Sequence, residues 1–188
     1  MKFCSECGKS VVHRIPVGDN LPRFICEYCD IIHYQNPKLV VGCLPVWNEQ
    51  ILLCKRAIEP SYGLWTLPAG FMENQESLEE AGLRESREEA NANLEIEGLY
   101  SVISLPHINQ IYVLYRAKLL DLDFYAGPES LEVQLFNEED IPWDQLAFKT
   151  IENTLKHFFE DRKKSDFSIY TSVISKRNRL GEIVDIIR

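Results

Sequence analysis

Three carboxylates, Glu85, Glu88 and Glu89, stand at spacings of three and four, which on a helix places them on one face. Like charges stacked in that way repel one another, and a divalent cation offsets the repulsion directly. Carboxylate oxygens suit Mg²⁺ or Mn²⁺ rather than soft metals. Mg²⁺ keeps several waters and is usually completed by substrate phosphates. The loop Leu67-Pro68-Ala69-Gly70 precedes the cluster, and Arg84 can hold one carboxylate by a bidentate contact. Taken singly, each glutamate reads as solvated surface. Taken together, with the loop ahead of them, they read as a phosphoryl-transfer site.

A second chemistry lies at the start of the chain. Cys4-x2-Cys7 and Cys26-x2-Cys29 are two CxxC pairs separated by 18 residues. Each pair presents two thiolates, and two pairs close a tetrahedral shell around zinc. Four thiolates leave no open coordination position, so the metal is structural. Gly8 and Asp30, which follow the two pairs, tolerate the left-handed turn such knuckles need. Two disulfides in a secreted domain are the alternative, and Met1–Glu6 carries no signal-peptide pattern to support it. Cys43 and Cys54 stand alone in apolar runs and read as buried, inert thiols.

The elements that must position these groups follow from pattern. Residues 1–34 are too short to fold without their metal, and Gln35-Asn36-Pro37 is a natural joint. Leu39–Trp47 and Ile51–Lys55 are β-rich runs forming a hairpin about Asn48-Glu49-Gln50. Leu64–Leu67 is a short strand stopped by Pro68. Ser77 opens a helix with a capping box, Glu80 lying three residues on. Its buried face is narrow and made of small residues: Leu78, Ala81, Gly82, Ser86 and Ala90. Asn91 ends it. Strands are expected at Gly98–Leu105, Ile111–Leu119 and Leu131–Phe136. A second helix is expected at Lys149–Asp161 with Ile151, Leu155, Phe158 and Phe159 inward, and late strands at Phe167–Ile174 and Glu182–Ile187. The order of elements predicts an α+β sandwich.

Composition bounds the partners. The 188 residues carry a net charge of −9, with 45% hydrophobic and 26% charged residues, as in an ordinary globular protein. Residues 70–100 hold nine Glu against Arg84 and Arg87, and the first 37 residues balance at four against four. That distribution offers cations a site and gives nucleic acid no basic footprint. No run approaches the ~20 apolar residues of a bilayer span. A cytoplasmic protein with no membrane or nucleic-acid partner is expected.

The stretch Gly70-x5-Glu76-x7-Arg84-Glu85-Ser86-Arg87-Glu88-Glu89 resembles the Nudix box. Every charged position of that pattern is present. Ser86 stands where an aliphatic residue is usual, and Asn91 replaces the box glycine. The resemblance runs from about Lys38 to Asp161. The whole chain is similar to zinc-ribbon Nudix hydrolases that cleave FAD and ADP-ribose, through Tyr34–Lys38, Leu52–Arg56, Gly63–Gly70, Gly127–Glu132 and Leu146–Phe148. The Ser-Gln-Pro-Trp-Pro-Phe-Pro run that marks NADH pyrophosphatases is absent.

The resemblance implies a Nudix α/β/α sandwich with a mixed sheet at 38–161, a zinc ribbon at 1–34, and a C-terminal extension at 162–188. It implies hydrolysis of the pyrophosphate bond of FAD or ADP-ribose, releasing AMP with FMN or ribose 5-phosphate. An NADH pyrophosphatase, or a non-catalytic nucleotide sensor or nucleic-acid-binding ribbon protein, is the alternative. Glu85, Glu88, Glu89 and Gly70 would hold Mg²⁺ or Mn²⁺, with Arg84 in support. Glu88, Glu129 or Glu132 would serve as the general base. Arg56, Tyr62, Trp65 and Glu73 would meet the nucleotide, and Phe71 is a further aromatic beside the site. His107 reads as a loop or core residue. A homodimer is usual among similar pyrophosphatases, and the resemblance implies one here.

Overall fold

The computed structural model describes residues 1–175, and the chain divides into two compact units at Pro37/Lys38. The expected strand at Glu182–Ile187 lies outside the described residues.

The first unit is a three-stranded antiparallel sheet of β1 (Val12–Arg14), β2 (Arg23–Ile25) and β3 (Ile32–His33). These strands are two or three residues long, too short for periodicity to announce them. Cys4 and Cys26 are buried at its centre. Gly8 and Asp30 both adopt positive φ, 72° and 57°, as the knuckle turns require.

The second unit is built on a mixed sheet with strand order β10-β5-β4-β9-β8-β11. Its strands are β4 (Lys38–Trp47), β5 (Gln50–Arg56), β8 (Leu94–Leu105), β9 (Gln110–Leu119), β10 (Ser130–Phe136) and β11 (Tyr170–Val173), and two short strands, β6 (Trp65–Thr66) and β7 (Ala69–Phe71), pair with β5 and β4. The β4–β5 hairpin turns through Asn48 at φ 54°, with Trp47 opposite Gln50. β4 and β9 run parallel, as do β8 and β11, and the remaining pairings are antiparallel.

Alternation along the strands assigns the two helices to opposite faces. Val41 and Cys43 of β4, and Val113, Tyr115 and Ala117 of β9, cluster with Ala81 of α1 (Leu78–Ala90). Leu44, Ile51, Leu53 and Leu114, on the other parity, cluster with Ile151, Leu155, Phe158 and Phe159 of α2 (Lys149–Lys164). The result is the α/β/α sandwich. α2 continues one turn past Asp161, because Arg162, Lys163 and Lys164 complement the negative C-terminal end of the helix dipole and Ser165 closes it in the left-handed conformation. β8 begins at Leu94, four residues before the expected start, with register irregularities around Gly98.

α1 opens with the capping box. The Ser77 hydroxyl accepts from the Glu80 N–H, and the Glu80 carboxylate accepts from the Ser77 N–H. Asn91 takes φ 50° at the C-cap. Ser86, at the usual aliphatic position, is fully buried and donates its hydroxyl to the Gly82 carbonyl at 2.8 Å, so its polar group is satisfied within the helix. No helix among the described residues is long and apolar enough to cross a membrane.

Candidate active site

β7 and α1 bring the acidic groups together. Glu85 and Glu89 are buried, whereas the Glu88 side chain stays exposed one helical step away. Burial pushes Glu89 up to about 8, although the Ala69 N–H donates to its carboxylate at 3.2 Å. Burial also raises Glu85, against the pull of Arg84. Two buried carboxylates whose ionised forms are disfavoured without a cation are a fitting donor set for a hard divalent metal.

Arg84 organises the front of the site. It grips Glu76 through two hydrogen bonds, Nε at 3.0 Å and Nη2 at 2.9 Å, and donates Nη1 to Glu85 at 2.7 Å and to Glu88 at 3.1 Å. Its Nη2 also reaches the Phe71 carbonyl, tying helix to loop. Arg84 holds Glu76 down to about 2, so the box's first glutamate serves the arginine and remains charged. Glu73 lines the cavity and its N–H donates to Glu76.

Gly70 lies against this cluster. A Cβ built there would run into the Glu85 carboxylate. Gly70→Ala is therefore expected to push Glu85 aside, raising the Mg²⁺ concentration needed for half-maximal rate and cutting turnover by about tenfold to a hundredfold. A Mg²⁺ titration of the variant reads this directly.

The carboxylates form one wall of a cavity of about 980 Å³, at the upper end of the range for small-molecule sites. Glu129 lies on its rim, placed there because the preceding loop docks on the end of α1: the Tyr125 and Gly127 N–H groups donate to the Ala90 and Glu89 carbonyls. Arg56 lines the cavity too. Its Nε donates to the Pro60 carbonyl at 2.9 Å, and its guanidinium lies 5.1 Å from the Phe148 ring centroid.

Three expected residues fall elsewhere. Trp65 is a core residue rather than a nucleotide platform, packed edge-on against Phe136 at 4.9 Å, because β6 turns it under the sheet. Tyr62 is exposed but is not among the cavity-lining residues. Glu132 sits on β10 and pairs with Lys55 at 3.7 Å, also off the cavity lining. Phe71, the further aromatic expected beside the site, does line the cavity, together with His107, Gln110, Tyr112, Phe148, Lys149 and Thr150. His107, expected in a loop or core, sits in a short 3₁₀ turn on the rim. The start of α2 was visible in sequence as a helix boundary, but nothing in its pattern marked it as a cavity wall.

The ribbon's thiols fit zinc equally well. All four Sγ atoms lie within 4.8 Å of one another. Zn–S bonds of about 2.3 Å in a tetrahedron put sulfurs ~3.8 Å apart. Cys4–Cys29 and Cys7–Cys26 lie at 3.7 and 3.4 Å, far too long for disulfides. The Cys29 backbone N–H lowers the Cys26 thiol, while burial and the neighbouring sulfurs raise Cys29, as four crowded thiols compete for few protons. Cys43 and Cys54 are buried in the core, and burial raises both thiols, so neither is reactive.

Comparison with known proteins places both units. The family model described as Nudix N-terminal matches residues 2–35, and that of the NUDIX domain matches residues 36–161. An ADP-ribose pyrophosphatase of Methanocaldococcus jannaschii is 31% identical over 121 residues, covering 61% of this chain and 69% of that protein. The NAD-capped RNA hydrolase NudC of Photorhabdus laumondii is 33% identical over 164 residues. The match covers 85% of this chain but 59% of NudC, so the chain spans less than two thirds of that relative. A crystal structure of a NUDIX hydrolase from Nitrosomonas europaea superposes with a TM-score of 0.91 at 58% identity, covering 94% of this chain and all of that one.

Proposed function

The chain belongs to the Nudix hydrolase family, and from that premise we propose that it hydrolyses the pyrophosphate bridge of FAD and ADP-ribose. AMP is one product, with FMN or ribose 5-phosphate as the other. The observation that carries this reading is the cavity itself: buried carboxylates for a divalent cation on one wall, and the Arg56 cation on the same cavity. The relative from Methanocaldococcus jannaschii named ADP-ribose pyrophosphatase supports the ADP-ribose half. The FAD half rests on the sequence resemblance.

The family's cations are Mg²⁺ or Mn²⁺ at the Nudix domain and zinc at the ribbon. When bound, the catalytic cation neutralises phosphate charge and acidifies water. Glu85 and Glu89, with Glu88 and the Gly70 carbonyl, would hold it. Arg84 fixes Glu85 and Glu88 in orientation, and Arg56 draws the diphosphate into the cavity. Glu129 is the favoured general base. It lines the cavity without a hydrogen-bonded or ion-paired side-chain partner among the described residues, while Glu88 is engaged by Arg84 and Glu132 by Lys55. A base must be free to take a proton from the attacking water. The same reading takes the protein to act in the cytosol as a homodimer.

The test is a comparison of kcat/KM for FAD, ADP-ribose and NADH with Mg²⁺ and with Mn²⁺. FAD and ADP-ribose are expected to be cleaved well and NADH poorly. The resemblance to NudC over most of this chain supports the second reading, an NADH or NAD-type substrate. A tenfold preference for NADH over both others would replace the first reading with the second.

A further inference from the structure

The first turn of α2 forms another polar wall of the cavity. Phe148 is its N-cap and supplies no side-chain hydrogen bond to the helix. The Phe148 carbonyl accepts from Ile151 and Glu152, but the N–H groups of Lys149 and Thr150 have no partner among the described residues. Such a turn on a 16-residue helix carries a partial positive charge. A second observation points to a ligand. Thr150 is 1% exposed, lines the cavity, and its hydroxyl has no hydrogen-bond partner among the described residues. An unpaired buried hydroxyl is costly, and native structures rarely leave one so. Arg56 leans on the same turn, its guanidinium against Phe148, 9% exposed, with only its Nε engaged among the described residues.

We propose that this turn is a phosphate subsite. The N–H groups of Lys149 and Thr150, the Thr150 hydroxyl, the Lys149 ammonium and the free Nη groups of Arg56 take the phosphoryl group that is not attacked. Lys149 is partly engaged, donating to Glu152 at 3.0 Å, which leaves two of its three donors. The inference rests on the diphosphate reading above. In that reaction the oxygen of water bonds to one phosphorus and its proton passes to the base. The bond from that phosphorus to the bridging oxygen breaks, and the electron pair stays on the departing phosphate. The subsite sits where that phosphate gains charge, so it binds the product half and steadies it as it leaves.

Calorimetric titration of the zinc-loaded protein with inorganic phosphate, without added Mg²⁺, tests the subsite apart from turnover. Wild type is expected to bind phosphate saturably. Thr150→Val, nearly isosteric, is expected to bind it about tenfold more weakly, while Thr150→Ser stays within about threefold of wild type. Lys149→Met, at a half-exposed position, is expected to weaken it as well, with an unchanged melting temperature. Thr150→Val binding phosphate as well as wild type does, or wild type showing no saturable binding, would overturn the subsite. Failure to cleave FAD, ADP-ribose and NADH alike would instead overturn the diphosphate reading and leave the phosphate titration standing.

Discussion

Glu89→Gln is expected to lose about a hundredfold or more of its turnover of ADP-ribose at saturating Mg²⁺, and Glu85→Gln is expected to lose about as much. Both glutamates lie buried on the same face of α1, one turn apart, where they can share one cation. Gln keeps the size and removes the charge. The fold is expected to survive. Burial lifts Glu89 to about 8 in the folded protein, above its ordinary value of 4.5. The charged form therefore costs metal-free stability as pH rises from about 4.5 through 8, and Gln is free of that cost. At pH 9 without Mg²⁺, Glu89→Gln should melt no lower than wild type. Glu79→Gln is the control: Glu79 is exposed, lies outside the cavity lining, and should change the rate little. If Glu79→Gln were as damaging as Glu89→Gln, the metal would have to be placed elsewhere.

The second large effect concerns the ribbon. Cys26→Ser is expected to abolish zinc binding and unfold residues 1–35, because structural zinc contributes roughly 10 kcal/mol or more in small metal-folded peptides. Cys26 is fully buried at the centre of the sulfur cluster, and the two- and three-residue strands around it offer little else to hold the unit. Elemental analysis should find one zinc per chain in wild type and none in the variant, with rapid proteolysis confined to the first 35 residues. Activity is expected to fall only in part, since every residue assigned to the cavity comes from the second unit. A wild-type protein purified without chelator and free of zinc would contradict this account of the four cysteines.

Much of this was legible because several local signals agreed. Ser77, Glu80 and Asn91 marked both ends of α1 by the chemistry of helix termini, and the small face from Ala81 to Ala90 marked the side that meets the sheet. The cluster Glu85–Glu88–Glu89 was legible because helical spacing converts directly into a shared face. Sulfur spacing worked in the same way for the ribbon. The failures were of tertiary origin. Ala69 and Gly70 read as loop because so short a segment carries no period, and only pairing with β4 makes Ala69–Phe71 a strand. Trp65 lies near the site in sequence, but β6 turns it into the core against Phe136. Glu129 and Glu132 are three residues apart, yet the bulge between Ser130 and Glu132 and the pairing with β5 send one to the cavity and the other to Lys55. Thr150 lies eighty residues from Gly70, and no local pattern ties the start of α2 to the loop before α1.

The most direct test of the central claim is product analysis of ADP-ribose incubated with the purified protein, with and without Mg²⁺. AMP and ribose 5-phosphate are expected in equal amounts, formed only when Mg²⁺ or Mn²⁺ is present. AMP formed equally well in the absence of any divalent cation, or no cleavage of ADP-ribose with either cation present, would contradict this assignment.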